Sequence, residues 1–180
     1  MSGLEPGDVA AEFKLRNANS IGDLYEVSLG EIIDINGAIV VFECNHCPYV
    51  IGSIDRINTI ANFASKNHIG FVGINSNDAI RYPDDSFEAM QKRAKRGMPY
   101  PYLHDETQVV AKEWGAERTP EFYLLDKNRI IIYRGRLDDS PNNPMNATTS
   151  ELMDAINTML SINPPTISRT DSIGCSIKWK

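Results

Sequence analysis

Two cysteines spaced C-x-x-C, Cys44 and Cys47, enclose Asn45-His46 and are followed at once by Pro48. In disulfide exchange the thiolate is the attacking species, and a second thiol one helical turn away can resolve the mixed disulfide within the same molecule. An imidazole next to Cys47 can donate a hydrogen bond or charge to a Cys44 thiolate. The pattern assigns attack to Cys44, resolution to Cys47 and tuning of the pair to His46. Cys44 is expected to be the more exposed and the more acidic of the two.

The flanking residues say how such a pair is held. Val40-Val41-Phe42 is an apolar, β-branched run that stops at the cysteines, and beyond Pro48 the residues Val50, Ile54, Ile57, Ala61 and Ala64 recur at helical spacing. A buried strand, a tight turn and a helix from about 48 to 66 are predicted, with Pro48 in the first turn, where its missing N–H costs little. The unpaired N–H groups and dipole of a helix start favour negative charge. C-x-x-C can also be half of a zinc site, with His46, His68 and His104 as further ligands. No second C-x-x-C and no H-x₃₋₅-H pair accompanies it, and Cys175 stands alone, so no metal is expected.

At 180 residues, one domain with a substantial core is expected, and a net charge of −6 argues against a general nucleic-acid binder. Residues 1–8 carry neither a basic nor an apolar signal segment, and no apolar run reaches the length of a membrane span. A cytoplasmic protein without membrane contact is expected. Three cysteines in a reducing compartment point to catalysis or sensing rather than a structural staple.

Residues 1–37 read as an N-terminal extension. It holds short strands at 13–15 and 24–27, then a helical turn capped by Ser28. The run 69–75 is nearly all apolar, as expected of a strand covered on both faces, and the strand–helix–strand order implies a right-handed parallel crossover. A helix capped by Ser86 carries Phe87, Met90 and Ala94 inward and ends in Lys92, Arg93, Lys95 and Arg96, where cations complement its dipole. Prolines around Tyr100 and Tyr102 place the next extended piece near an edge. A helix at 107–114, a hairpin at 122–125 and 130–134, and a last helix opened by Thr148-Thr149-Ser150-Glu151 follow. The tail, 164–180, has no clear period. Its Cys175 is a third redox cysteine, a small buried residue or a reactive surface thiol.

This order resembles the thioredoxin fold: an α/β domain over 1–180, with a central mixed sheet flanked by helices, an N-terminal β-hairpin extension and a C-terminal tail. More narrowly, the chain resembles the peroxiredoxin-like branch of that superfamily, the alkyl hydroperoxide reductase/thiol-specific antioxidant group with its redoxin domain. The resemblance rests on C-N-H-C-P-Y-V at 44–50, R-T-P-E-F at 118–122, R-G-R-L-D-D-S at 134–140, G-C-S-I-K-W at 174–179 and Pro6-Gly7-Asp8-Val9-Ala10. It implies a cis proline at Pro120 facing the cysteines, with Thr119 offering backbone groups to an extended substrate and Arg118 beside it.

The departures bear on activity. A peroxiredoxin presents a threonine three residues before its reactive cysteine, but here Val41 precedes Cys44 and Cys44 precedes Cys47 at that distance. The matching arginine position falls near Pro120, leaving Arg118 as a weak substitute. Glu43 stands where thioredoxin has tryptophan and is a candidate proton acceptor. The leading expectation is a thiol–disulfide oxidoreductase acting on a protein or small-molecule disulfide, with a dithiol as electron donor and no cofactor. Its potential is expected on the oxidising side of thioredoxin. A thiol-dependent peroxidase and a redox-sensing module without turnover are the alternatives.

Overall fold

A computed structural model of the chain describes residues 3–180; Met1 and Ser2, at the head of the segment read for a signal sequence, lie outside the described residues. Its centre is a seven-stranded mixed sheet in the order β2-β1-β5-β4-β3-β7-β8. The two inner strands are β3 (Ala38–Phe42) and β4 (Gly70–Asn75), parallel to each other as the crossover requires. All five residues of β3 are buried, which is why its sequence shows no polar alternation. The hairpin β7 (Glu121–Leu125) and β8 (Ile131–Gly135) pairs with the other side of β3, antiparallel.

On the far side, β5 (Tyr102–His104) lies between β4 and β1 (Lys14–Asn17), with β2 (Glu26–Ser28) outermost. This corrects the expectation of an edge strand. Pro99 and Pro101 both precede the ladder, so neither missing N–H falls within it, and Pro101 still accepts from Gly73 N at 3.0 Å. The N-terminal extension behaves as expected: Ser28 and Glu31 form a capping box on the short helix α1 (Leu29–Ile32).

The helix expected over 48–66 is broken in two, α2 (Pro48–Ile51) and α3 (Ile54–Lys66). The break has a visible cause in the loop that follows β8. Ser53 turns its hydroxyl back to Tyr49 O and onward to Pro141 O, both at 2.7 Å, and Arg56 donates to Gly52 O and Pro141 O. Further on, α4 (Phe87–Ala94) is capped by Ser86 as predicted, and α5 (Val109–Trp114) ends at Gly115 in the left-handed region at φ 71°.

The last helix, α6 (Glu151–Leu160), starts later than the sequence suggested. Thr148 and Thr149 bond Asp139, and Glu151 pairs with Arg136, so the expected capping box does not form. Two apolar layers sandwich the sheet. One is built on α3, α4 and α6; the other on α1, α5 and the N-terminal segment, with Ile177 of the tail. Residues 168–170 run beside Arg134, and the tail ends in β9 (Cys175–Ser176), antiparallel to β6 (Arg118–Thr119). Among the described residues no helix is long and apolar enough to cross a membrane.

Candidate active site

The site lies where β3 ends, at the carboxyl edge of the parallel pair, the usual place for chemistry in such sheets. Cys44 follows the strand, and Cys47 is the cap residue of α2, with Pro48 as its first helical residue. Across from them the Thr119–Pro120 peptide is cis. Thr119 touches both sulfurs: its Oγ1 is 3.4 Å from Cys44 Sγ, and its carbonyl accepts from the Cys47 thiol at 3.2 Å. Cys44 and Cys47 are only 1% and 0% exposed, so Cys44 is not the open thiol that the sequence suggested. All three cysteines are free, and Cys175 packs against the pair from the tail.

The two buried sulfurs titrate as one unit. Sharing the Cys44 proton is the largest support for a thiolate on Cys47; burial opposes it, and the side chain and backbone of Cys175 and the backbone of Val50 add further support. The outcome is a Cys47 thiol lowered from 9.0 to about 4. Cys44 is pushed upward, first by its bond to Cys47, then by burial and the Asp85 carboxylate. The Thr119 carbonyl works against a Cys47 thiolate, but the convergent donors outnumber it. This ordering is the reverse of the sequence expectation. Its main cause is the Cys44–Cys47 contact, in which Cys44 keeps the shared proton; Cys175 and, last, the helix-start N–H of Val50 add to it, since α2 begins after Cys47.

His46 is fixed by a residue that sequence reading missed. Its Nδ1 lies 2.5 Å from Asp85 Oδ2, and its ring stacks on Tyr82 at 5.5 Å with planes 4° apart. Asp85 is fully buried and also accepts from Asn45 N, Asn75 Nδ2 and Asn77 Nδ2 at 2.6, 3.1 and 2.9 Å. Cys44, His46 and Asp85 each bring a potential metal-ligand atom within 4.8 Å of the others. The amide donors already occupy both carboxylate oxygens, so the group reads as a hydrogen-bonded support for His46. Asp85 carried a faint signal, since it precedes the helix cap Ser86 in a polar loop.

Glu43 is locked away from the sulfur chemistry. It is 0% exposed, pairs with Arg93 Nη2 at 2.5 Å, and accepts from the Tyr100 hydroxyl at 2.7 Å. Burial, and then the Glu43 charge, push the Tyr100 phenol well above its ordinary range, so it remains a donor. Gly73 makes this packing possible, because a Cβ there would lie 2.3 Å from Glu43 Oε1. Arg93 also donates to Cys44 O at 3.1 Å and to the Tyr102 hydroxyl at 3.2 Å. Thus Arg93, expected among cations at an exposed helix end, holds the main chain of the first cysteine. Beside it, Asn45, His46, Ile54, Lys92 and Arg96 help to line a cavity of about 600 Å³.

Arg118 is exposed and donates to Gly174 O at 2.9 Å, so it secures the tail and does not face the sulfurs. Gly174 lies so close to the cis bond that a Cβ would sit 2.0 Å from Thr119 O. On the other side of Cys175, Ile177 N bonds Glu117 O at 2.9 Å and Lys178 N bonds Asn77 Oδ1 at 2.8 Å.

A family model described as Redoxin matches residues 5–154. The chain belongs to the redoxin family, within the thioredoxin superfamily. A conserved protein from Geobacillus kaustophilus is 41% identical, with a TM-score of 0.91 over 98% of this chain and 93% of that one. A hypothetical protein from Sinorhizobium meliloti is 34% identical, with a TM-score of 0.89 over 99% and 97%. The fold is shared more distantly with a Chlorobium tepidum protein described as a thiol:disulfide interchange protein, 19% identical, with a TM-score of 0.60 over 73% and 85%. No curated protein matches the chain. Family and neighbours together support a thiol redox function.

Proposed function

We infer that the protein is a thiol–disulfide oxidoreductase that works through Cys44 and Cys47. The observation that carries this reading is the pair of buried sulfurs joined through Thr119 at the cis proline, with Cys47 the acidified member. In this reading the Cys47 thiolate attacks a disulfide of a protein or small molecule, and Cys44 supplies the second thiol. The departing thiolate takes a proton, and a dithiol donor returns the enzyme to its reduced form in a reducing compartment such as the cytoplasm. His46 and Asp85 hold the loop between the cysteines in position. The test is reduction of insulin disulfides with dithiothreitol as donor. The wild-type chain is expected to shorten the lag, and Cys47→Ser to abolish the effect; no acceleration by the wild-type chain would overturn the reading.

One observation favours a second reading, reduction of a hydroperoxide. A sulfur as buried and as acidic as that of Cys47 suits a small oxidant, which would leave a sulfenic acid for Cys44 to resolve. Arg93, however, is committed to Glu43 and to the Cys44 carbonyl and is not offered to an incoming peroxide. Consumption of hydrogen peroxide is expected to be slower than insulin reduction under the same donor. The reverse order would make the peroxidase reading the primary one.

A further inference from the structure

Cys47 has a second thiol neighbour besides Cys44, and it comes from the far end of the sequence. Pairing of β9 with β6 sets Cys175 opposite Thr119, the residue that touches both active-site sulfurs. The placement is built, not incidental. Gly174 permits the contact with the cis bond, Arg118 holds the Gly174 carbonyl, and Ile177 is buried in the apolar layer built on α1 and α5. Cys175 itself is only half-buried, which makes a purely space-filling role a poor account of it.

We propose that Cys175 is a third redox cysteine, one that forms a disulfide with Cys47 during turnover in competition with Cys44. The proposal rests on Cys47 being the attacking sulfur. Attack by Cys47 on a substrate disulfide forms a Cys47–substrate bond and releases one substrate thiolate. Cys175 then gives up its proton to solvent and attacks Cys47 Sγ. The Cys47–Cys175 bond forms as the Cys47–substrate bond breaks, and the second substrate thiolate leaves. Two protein thiols have lost two electrons, and the substrate disulfide has gained them. Attack by Cys44 on Cys47 can then regenerate the Cys175 thiol and close the Cys44–Cys47 bond.

The electrostatics give this sequence an order. In the reduced protein Cys175 is raised to about 11, first by burial and then by its bond to Cys47 and the charge there. Once Cys47 is bound to substrate that charge is gone, and with it part of what keeps Cys175 protonated. The third thiol is therefore quiet at rest and eased toward ionisation after the first attack.

The test uses the full chain carrying Cys44→Ser, which leaves Cys47 and Cys175, and a limiting amount of an aromatic disulfide that releases a coloured thiolate. Resolution by Cys175 is expected to release two coloured thiolates for each probe molecule consumed, leaving no adduct mass and a Cys47–Cys175 link in the non-reducing peptide map. The Cys44→Ser/Cys175→Ser chain is expected to stop at one thiolate with a stable adduct on Cys47. A stable Cys47 adduct in the single variant, with Cys175 still free, would overturn the proposal and leave the proposed oxidoreductase intact. Labelling of Cys44 in place of Cys47 in the unmodified chain would reverse the roles of the pair and also overturn the proposal, while insulin reduction would still decide the oxidoreductase reading. Acid-quenched wild-type protein, which needs no substitution, is expected to show a transient Cys47–Cys175 link. Finding only Cys44–Cys47 at every time point would also overturn the proposal.

Discussion

The two walls around the cysteines are built very differently. On one side, Glu43, Arg93, Tyr100, Asn45, His46 and Asp85 form a largely buried network in which each carboxylate meets at least two donors. On the other, two residues of β9 pair with two of β6, next to a glycine that cannot bear a side chain. The first wall fixes the loop that carries the thiols. The second is a short strand that lies over them and packs Cys175 against the pair. Rigidity is spent on positioning the sulfurs, and access is left to a short strand.

That contrast sets a scale for breaking the site. The largest loss of stability is expected from Arg93→Ala or Glu43→Ala. Each strands a buried charge, at a cost of about 3–5 kcal/mol. Urea denaturation would show it, and a Glu43→Gln/Arg93→Met chain should lose less than either single variant. If Arg93→Ala cost no more than an ordinary surface change, the wall would not be rigid in the sense described. Asp85→Ala ranks next, at about 1–3 kcal/mol for the donors it leaves unpaired. It should also free the His46 ring, which would be visible as averaged imidazole signals in NMR.

The pH dependence comes third and has a definite sign. Cys47 is depressed in the folded reduced protein, so its contribution to stability is full above the ordinary thiol value of 9.0 and fades as pH falls toward about 4. The Cys44–Cys47 disulfide form lacks this group. Its advantage in denaturant midpoint over the reduced form should therefore grow as pH is lowered through that window. Cys44 and Cys175 are shifted upward and subtract from stability only above about pH 9. A difference that does not vary with pH would remove the thiolate from Cys47. The same stabilisation of the reduced state predicts a potential more oxidising than about −270 mV, measured against glutathione.

The smallest effect on stability is expected from Gly174→Val, about 1 kcal/mol, since it costs little more than the β6–β9 pairing. Its effect on access should be the clearest of the set. Alkylation of Cys47 should accelerate at least tenfold while the folded baseline is kept. An unchanged rate would mean that β9 is not what covers the sulfurs.

Much of the first wall's backbone was legible in the sequence, and almost none of its polar chemistry was. Strand, turn and helix around Cys44 and Cys47 are local in sequence, so alternation and period reveal them. The partners of that segment are not local. Asp85 reaches His46 across 39 positions, and Arg93 reaches Glu43 across 50. Arg93 did carry a trace, since it lies three residues after the buried Met90 and beside Ala94 on the inward face of α4. The break between α2 and α3 was hidden for the same reason: its cause is a loop that arrives from residues near 141. In the second wall, Pro120 was readable as facing the cysteines and Cys175 as a candidate third redox cysteine. The register that sets Cys175 against Thr119 was not, because two residues have no period.

The tail also has an earlier duty, visible where residues 168–170 lie along β8. That strand ends the sheet, and its outward main chain is met by Ser168 O and Thr170 N at Arg134, both at 3.0 Å. An uncovered strand at a sheet border is a template for pairing with another chain. Shortening the protein after residue 171 would therefore open the thiols and leave the border covered. Ending it near residue 163 would bare the border as well, and such a chain should self-associate as its concentration rises.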